Sequence, residues 1–333
     1  MYDFFKASIT CPELSHKLVA NSTLIFEQRN IGYNGECIPI IKKDGSILTD
    51  SKGCIRYKSP YQKAQLDSLE IRVYTNHKII ISGSIHKYWN NGISNNNNFN
   101  KTNLIEAFNK LESLLGISLK RFQLVQLEVG VNLTLDQTFE SNTKFLRHCF
   151  LHKTMPFNSG SNTLEGIYLE AKHKEYSIKL YDKTSDSISR GIHSENNLIR
   201  FEIHYRELNC LRRKGLKVYT IQDLLSNDFA SYICILKDAW DEILFYDYTT
   251  SINNHNYSNK LYWVDNLLER SSRSAFNKHR KKLKQQNSPL ADLFSKMIRD
   301  KVNILSKEKT VPHKQEFTYH INKKPKRLQT LLN

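Results

Sequence analysis

The sequence predicts an α+β fold: an antiparallel-rich sheet with helices on one face, followed by a helical C-terminal region. Three observations carry this. Segments rich in β-branched and aromatic residues alternate in polarity through the first two-thirds of the chain. Two stretches with apolar residues at helical spacing interrupt them. After about residue 215 the pattern becomes helical. The chain therefore divides into a unit over 1–215 and a basic helical region over 216–333.

The strands are expected at 68–74 (SLEIRVY), 78–89 (KIIISGSIHKYW), 122–135 (FQLVQLEVGVNLTL), 166–173 (GIYLEAKH), 176–183 (YSIKLYDK) and 198–205 (LIRFEIHY). The tripeptide TNH at 75–77 suits a hairpin turn between the first two. A helix is expected at 102–116, where Leu104, Ile105, Phe108, Leu111, Leu114 and Leu115 form a stripe, Thr102 is an N-cap and Gly116 a stop. A second is expected at 138–151. Beyond 215, the segment 220–245 holds two helices. The segment 259–284 carries Leu261, Val264, Leu267 and Leu268 on one stripe and ends in a basic run, and 289–305 forms a further helix. The tail at 322–333 is basic. The Asn-rich stretch 90–100 reads as a low-complexity loop, and no internal repeat of fixed period is evident.

The 333 residues carry 49 Lys+Arg against 33 Asp+Glu, a formal charge of +16. That excess favours a polyanion, with nucleic acid ahead of an anionic membrane surface. The six cysteines, at 11, 37, 54, 149, 210 and 234, form no CxxC pair. Free, mostly buried thiols in a reducing cytoplasm are the simplest expectation. The N-terminus lacks the pattern of a secretory signal, and no apolar run approaches the ~18 residues that span a bilayer. A soluble protein of the cytoplasm is expected. No G-x-x-x-x-G-K-[ST] or G-x-S-x-G motif occurs, so neither ATP-driven unwinding nor serine hydrolase chemistry is supported.

Side chains on a strand alternate between faces. Sorting by parity places Leu69, Ile71 and Val73, the run Val125 to Leu133, and Ile199, Phe201 and Ile203 on an apolar face. The opposite face collects Glu70, Glu128, Glu170 and Glu202, with Ser82, Ser84, His86 and Tyr88 beside them. A solvated sheet face is the plain interpretation; a site for a divalent cation and a phosphate is the sharper one. In 176–183 the same rule puts Tyr176 among the core residues and Tyr181 on the polar face, flanked by Lys179 and Lys183. A phenol has a pKa near 10, so forming phenolate at pH 7 costs about 4 kcal/mol. Nearby ammonium groups lower that cost and neutralise an approaching phosphate.

Other candidates are weaker. His148 and His152, four apart with Cys149 between them, have helical zinc spacing but no second pair nearby. His173 suits a phosphate contact or an exposed turn, and His204 shares parity with Glu202. Tyr88 and Trp89 could stack on bases, although packing suits Trp89 better. The runs at 277–284 and 323–327 are either solvated charge or phosphate contacts.

The ordered motifs SGSIHKYWNNG, LEVGVNL, IKLYDK and LIRFEIHYREL, over roughly residues 66–212, resemble the gene II type replication initiators of filamentous phages. These are relatives of plasmid rolling-circle initiators. The resemblance implies a nick on one DNA strand through a covalent 5′-phosphotyrosine, a free 3′-OH, later rejoining, and Mg²⁺ or Mn²⁺. It implies Tyr181 as nucleophile with Lys179 and Lys183 beside it. Glu128 and Glu202 are the implied metal ligands, with Glu170 or Glu70 as further acids; Asp186 lies where a later acid is usual. Lys87, Arg206, Lys278, Arg280, Lys281 and Lys282 are the expected DNA contacts, and a host helicase or polymerase an expected partner. The alternative is a non-catalytic basic DNA-binding protein that recruits the host replication machinery. An RNA-binding module ranks lower, because the aromatic strand motif of an RRM is missing.

Overall fold

The computed structural model describes residues 2–32, 36–159, 167–192, 197–250 and 255–307. In chain order the strands are β1 (Tyr2–Thr10), β2 (Glu27–Arg29), β3 (Tyr61–Leu66), β4 (Leu69–Tyr74), β5 (Lys78–Ser84), β6 (Gln123–Thr134), β7 (Cys149–His152), β8 (Met155–Pro156), β9 (Asn158–Ser159), β10 (Tyr168–Lys172), β11 (Tyr176–Asp182), β12 (Leu198–Tyr205) and β13 (Ile243–Phe245). Ten of them form one antiparallel sheet in the order β2-β3-β4-β5-β1-β6-β12-β11-β10-β9. A small second sheet joins β13, β7 and β8. The antiparallel α+β class and the helical C-terminal region are as the sequence predicts. The β4–β5 hairpin turns through residues 75–77, also as expected.

The helices are α1 (Pro12–Val19), α2 (Ile85–Trp89), α3 (Lys101–Leu115), α4 (Asn142–Arg147), α5 (Lys183–Ser189), α6 (Asn209–Arg213), α7 (Ile221–Ser226), α8 (Tyr232–Asp241), α9 (Arg273–Lys284) and α10 (Pro289–Lys307). The apolar sheet face is covered by α3, α4, α8 and α10. Phe108 of α3 packs edge-on against Phe5, and Phe294 of α10 stacks at 4.8 Å on Phe145 and at 4.3 Å against Trp240. Phe201 of β12 touches both Trp240 and Phe294. The C-terminal helices thus share one core with the sheet. A smaller core lies beside it, where Trp263, Phe276 and Leu283 pack on Phe150, Leu151 and Leu244.

Strict alternation fails at two bulges. In β1, Tyr2 and Phe5 are three residues apart yet both sit in the core, because the ladder slips between them against Val129 and Leu127. In β6 the register slips between Gln126 and Leu124, so Leu124 is buried and Val125 turns out to solvent. An extra residue in one strand of an antiparallel pair shifts the faces of all that follows. The expected placement of Val125 on the apolar face is corrected accordingly.

Several boundaries also move. Strand 78–89 ends at Ser84, whose hydroxyl caps α2, so His86 and Tyr88 are buried in a helix and not on the sheet. Helix 138–151 is short: α4 stops at Arg147, and His148 and His152 lie at a helix end and in β7, which removes their helical spacing. Helix α3 is capped by Asn100 and Asn103 in a reciprocal box in place of Thr102, and it ends at Gly116 as expected. Segment 259–284 breaks after a π-helical stretch, Tyr262–Glu269, leaving Leu261 exposed and Trp263 buried. Of the six free thiols Cys149 alone is buried, while Cys37, Cys54 and Cys234 are exposed. The basic runs 322–333 and 323–327 fall outside the described residues.

Two predictions follow from this packing. Phe294 is fully buried among four aromatic rings, Phe139, Phe145, Phe201 and Trp240. Phe294→Ala is expected to destabilise the whole chain by about 3–5 kcal/mol, in one unfolding transition measured by denaturant titration. The second concerns His86 and His152, which burial pushes down to about 3 each. The unfolded chain takes up these protons near pH ~6.5 while the folded one does not. Stability is therefore fully present above that pH. It falls as pH drops from there towards 3, by up to ~1.4 kcal/mol per pH unit for each histidine. Denaturation midpoints at stepped pH test this; a flat profile down to the carboxylate range would contradict it.

Candidate active site

The sheet register assembles the site in rows. Across β10, β11, β12 and β6, one row reads Tyr168, Tyr181, Arg200 and Asn132, and the next reads Glu170, Lys179, Glu202 and Gly130. A third carries Ser177, His204 and Glu128. The bulge in β1 turns Asp3 and Phe4 to the same face. Above these rows lies a cavity of about 720 Å³, with Asp3, Glu128, Lys179, Tyr181, Glu202 and His204 in its lining. Helices α2 and α5 border it through Lys87, Lys183 and Asp186.

Asp3, Glu128 and Glu202 are buried and bring one carboxylate oxygen each within 4.8 Å of the others. Arg200, 3% exposed, bonds Glu202 through Nε and reaches Asp3 Oδ2 at 3.0 Å and Asn132 Oδ1 at 2.9 Å. Lys179 Nζ bridges Glu128 at 2.6 Å and Glu202 at 3.1 Å. His204 Nδ1 lies 3.2 Å from Glu128. Ser84 and Asn95 donate to Asp3.

These contacts set the protonation. Burial opposes the charge of Asp3, but Arg200, His86, the Ser84 hydrogen bond and Lys183 together outweigh it and hold the carboxyl below its usual range. Burial likewise opposes Glu128, and the His204 hydrogen bond and Lys179 charge prevail. Glu202 goes the other way: burial and the charge of Glu128 raise it. Burial also works against the Lys179 ammonium, yet Glu202 and Glu128 keep it charged beyond the ordinary lysine value. Three acids face two permanent cations, Lys179 and Arg200, so the fully ionised cluster carries one negative charge in excess. Such a cluster of hard oxygen donors suits a divalent cation such as Mg²⁺ or Mn²⁺. Lys179, an ammonium bridging two of the carboxylates, marks the position as one made for positive charge.

Tyr181 is half-buried and lines this cavity, and Tyr176 packs against the core, as parity predicts. The lysines behave differently from expectation. Lys179 is turned to the acids. Lys183 is not a strand residue but the first of α5, and its Nζ binds Asp186 at 2.9 Å, 5.8 Å from the Tyr181 ring centre. Burial, then Glu202, raise the Tyr181 phenol well above its ordinary value, with Arg200 opposing. Burial and Glu202, rather than the neighbouring lysines, dominate it. Tyr168, directly across β10, stacks obliquely on Tyr181 at 5.6 Å; burial raises it to about 12, moderated by Lys179.

The remaining expected residues scatter. Glu170 faces Lys179 in register but pairs with Lys172 and stands outside the acid trio. Glu70, on β4, lies two strands from β1 and four from β12 in the sheet order and holds Lys63 and Arg72. Arg206 spends its guanidinium on the main-chain carbonyls of His173, Lys174 and Tyr176, clamping a turn. His173 bonds His152 at 2.7 Å and stacks on Tyr176. On α9, Lys278, Lys281 and Lys282 are exposed, whereas Arg280 pairs with Glu242.

Three contributors were missed. Asp3 is hidden by the bulge, because unbroken alternation from Phe5 and Ala7 would place it in the core. Arg200 shows the right parity, and only its burial reveals its part. The Asn-rich loop is ordered: Asn132 donates to the carbonyls of Asn95 (2.8 Å) and Asn96 (3.0 Å), and Asn95 reaches Asp3. Its signal was its composition, since asparagine both donates and accepts.

Among solved structures, the chain is similar to a rolling circle replication initiator protein from Geobacillus stearothermophilus. The identity is 11%, over 85% of this chain and 96% of that one, with a TM-score of 0.36. No protein-family model and no curated protein matches the chain. No helix among the described residues is long and apolar enough to cross a membrane.

Gly130 gives the sharpest test of this geometry. A Cβ there would stand 2.6 Å from Glu202 Cβ and 2.8 Å from the Phe201 carbonyl oxygen. Gly130→Ala is expected to cost about 1–3 kcal/mol in thermal unfolding. It also displaces Glu202, which loosens the acid trio.

Proposed function

We propose that this chain is a nicking and joining enzyme of the rolling-circle initiator class, with Tyr181 as its nucleophile and DNA as its substrate. The observation that carries this is the convergence of the Tyr181 phenol, three buried carboxylates and Lys179 on one cavity. The net charge of +16 supports a polyanionic substrate.

In the proposed reaction the Tyr181 oxygen bonds to phosphorus and the P–O3′ bond breaks. The freed 3′ oxygen takes up a proton to become 3′-OH, and the strand's 5′ phosphate stays on the enzyme. The phenol proton must leave. The cavity is open to solvent, and water takes the proton up. Asp3, Glu128 and Glu202 would hold the divalent cation, with Asp3 in the place first expected for Glu170. When bound, such an ion polarises phosphoryl oxygens and offsets their charge. Lys179 and Lys87 meet the phosphates from the cavity wall, and Lys183 holds Asp186 and the start of α5 against it. Rejoining is the reverse attack by a 3′-OH on the phosphotyrosine.

Incubation with origin single strand and Mn²⁺ is expected to yield a covalent adduct that survives denaturation and is lost on chelation. Tyr181→Phe abolishes it. Glu128→Gln and Glu202→Gln slow it by at least about 100-fold, the upper end of what outer-shell changes cost at metal sites. Trypsin cuts after Lys172, Lys174 and Lys179, so peptide mapping separates Tyr181 from Tyr168. An adduct on Tyr168, or one that persists in Tyr181→Phe, overturns the assignment.

A further inference from the structure

Between β2 and β3 the chain forms a lobe over residues 38–58 with an internal order that the sequence reading did not detect. Three residues eight apart close a ring of main-chain hydrogen bonds: Ile40 N to Arg56 O, Arg56 N to Leu48 O, and Leu48 N to Ile40 O, each 2.8 Å. Around this ring stand three bridges, Pro39 with Tyr57, Ile41 with Ile47, and Thr49 with Ile55. Each is closed by a further bond eight residues from the next: Lys42 N to Ser46 O, Asp50 N to Cys54 O, and Lys58 N to Ile38 O. The lobe is a three-fold quasi-repeat.

Alternation then fixes its faces. Residues 39, 41, 47, 49, 55 and 57 flank the ring residues and share one side. That side is apolar and open, with Ile41 61%, Ile47 46%, Ile55 44% and Tyr57 50% exposed. Exposed apolar groups gathered on one projecting surface mark an interaction site. The rim is basic. Lys43 and Lys52 stand in its turns and Lys42 and Lys58 at its ends, all exposed, with Arg56 exposed on the ring side; none makes an ion pair among the described residues. The acids, Asp44 and Asp50, are engaged by their own turns, accepting from Ser46 N at 3.0 Å and from Lys52 N at 2.8 Å. Five cations against two acids leave the lobe at +3.

We infer that this lobe is a docking surface for duplex DNA, separate from the cavity. The inference rests on the nicking function proposed above, which makes DNA the substrate. Cations at the rim meet phosphates on both strands, while isoleucine and proline side chains press against base steps, as apolar wedges do in minor-groove binding. A single strand is the poorer match, because unpaired bases favour aromatic platforms and this face has one aromatic ring. In the sheet order β2 lies four strands from β1, on the order of 20 Å at the usual strand spacing. The lobe would therefore hold duplex beside the nick rather than the scissile strand itself.

Binding of the full chain to a short duplex and to the matching single strand, by anisotropy over a salt series with chelator present, tests this. The Lys42→Ala/Lys43→Ala/Lys52→Ala variant is expected to flatten the duplex log–log salt slope by about 2.7, from three phosphates at ~0.9 each. Ile41→Ser/Ile55→Ser should weaken duplex binding with the slope kept. Unchanged slope and affinity in both variants overturn the proposal. So does an Ile41→Ser/Ile55→Ser effect confined to sedimentation, which would assign the face to a second copy of the chain. Because no metal is present, this result is independent of adduct formation: loss of one leaves the other standing.

Discussion

The structure depends first on Arg200. Its guanidinium is nearly inaccessible to water and bonds Glu202 on its own strand, Asp3 on β1 and Asn132 on β6. Removing one partner of such a buried pair typically costs 3–5 kcal/mol, because a charge is left without compensation. Here one cation fixes two carboxylates of the acid trio and, through Asn132, the loop that walls the cavity. Three buried acids would otherwise repel one another and take up protons. Arg200 and Lys179 together are what allow them to remain close.

The same arrangement divides labour between the two sides of the sheet. The apolar side is filled by aromatic and aliphatic residues from α3, α4, α8 and α10, which keeps the strands rigid. The polar side can then carry buried charged groups without losing the fold. Gly130 shows how tight that side is: the missing side chain is the space that Glu202 occupies. The raised phenol of Tyr181 fits the same pattern, since burial and nearby carboxylates favour its protonated form.

Much of this was legible because a strand has period two. Glu128, Lys179, Tyr181 and Glu202 sort onto one face by counting alone, and the structure brings all four to one cavity. Counting fails where the ladder slips or the strand ends. The β1 bulge hides Asp3, the β6 bulge reverses Val125, and the early end of β5 carries His86 and Tyr88 into a helix. Lys183 lies beyond the end of β11, and its return to the cavity comes from α5. The Asn-rich loop and the 38–58 lobe were opaque for another reason. Their order comes from side-chain amides and main-chain rings, which leave no hydrophobic period to read.

The sequence distances within the trio have a further meaning. Asp3 meets Arg200 across 197 positions, and β1 sits between strands that come 70 and 120 residues later. Closing loops of that length is slow, and a central strand cannot pair until its neighbours exist. The acid trio exists only once β1, β6 and β12 lie side by side, so the cavity is a property of the closed sheet and of no smaller part of it.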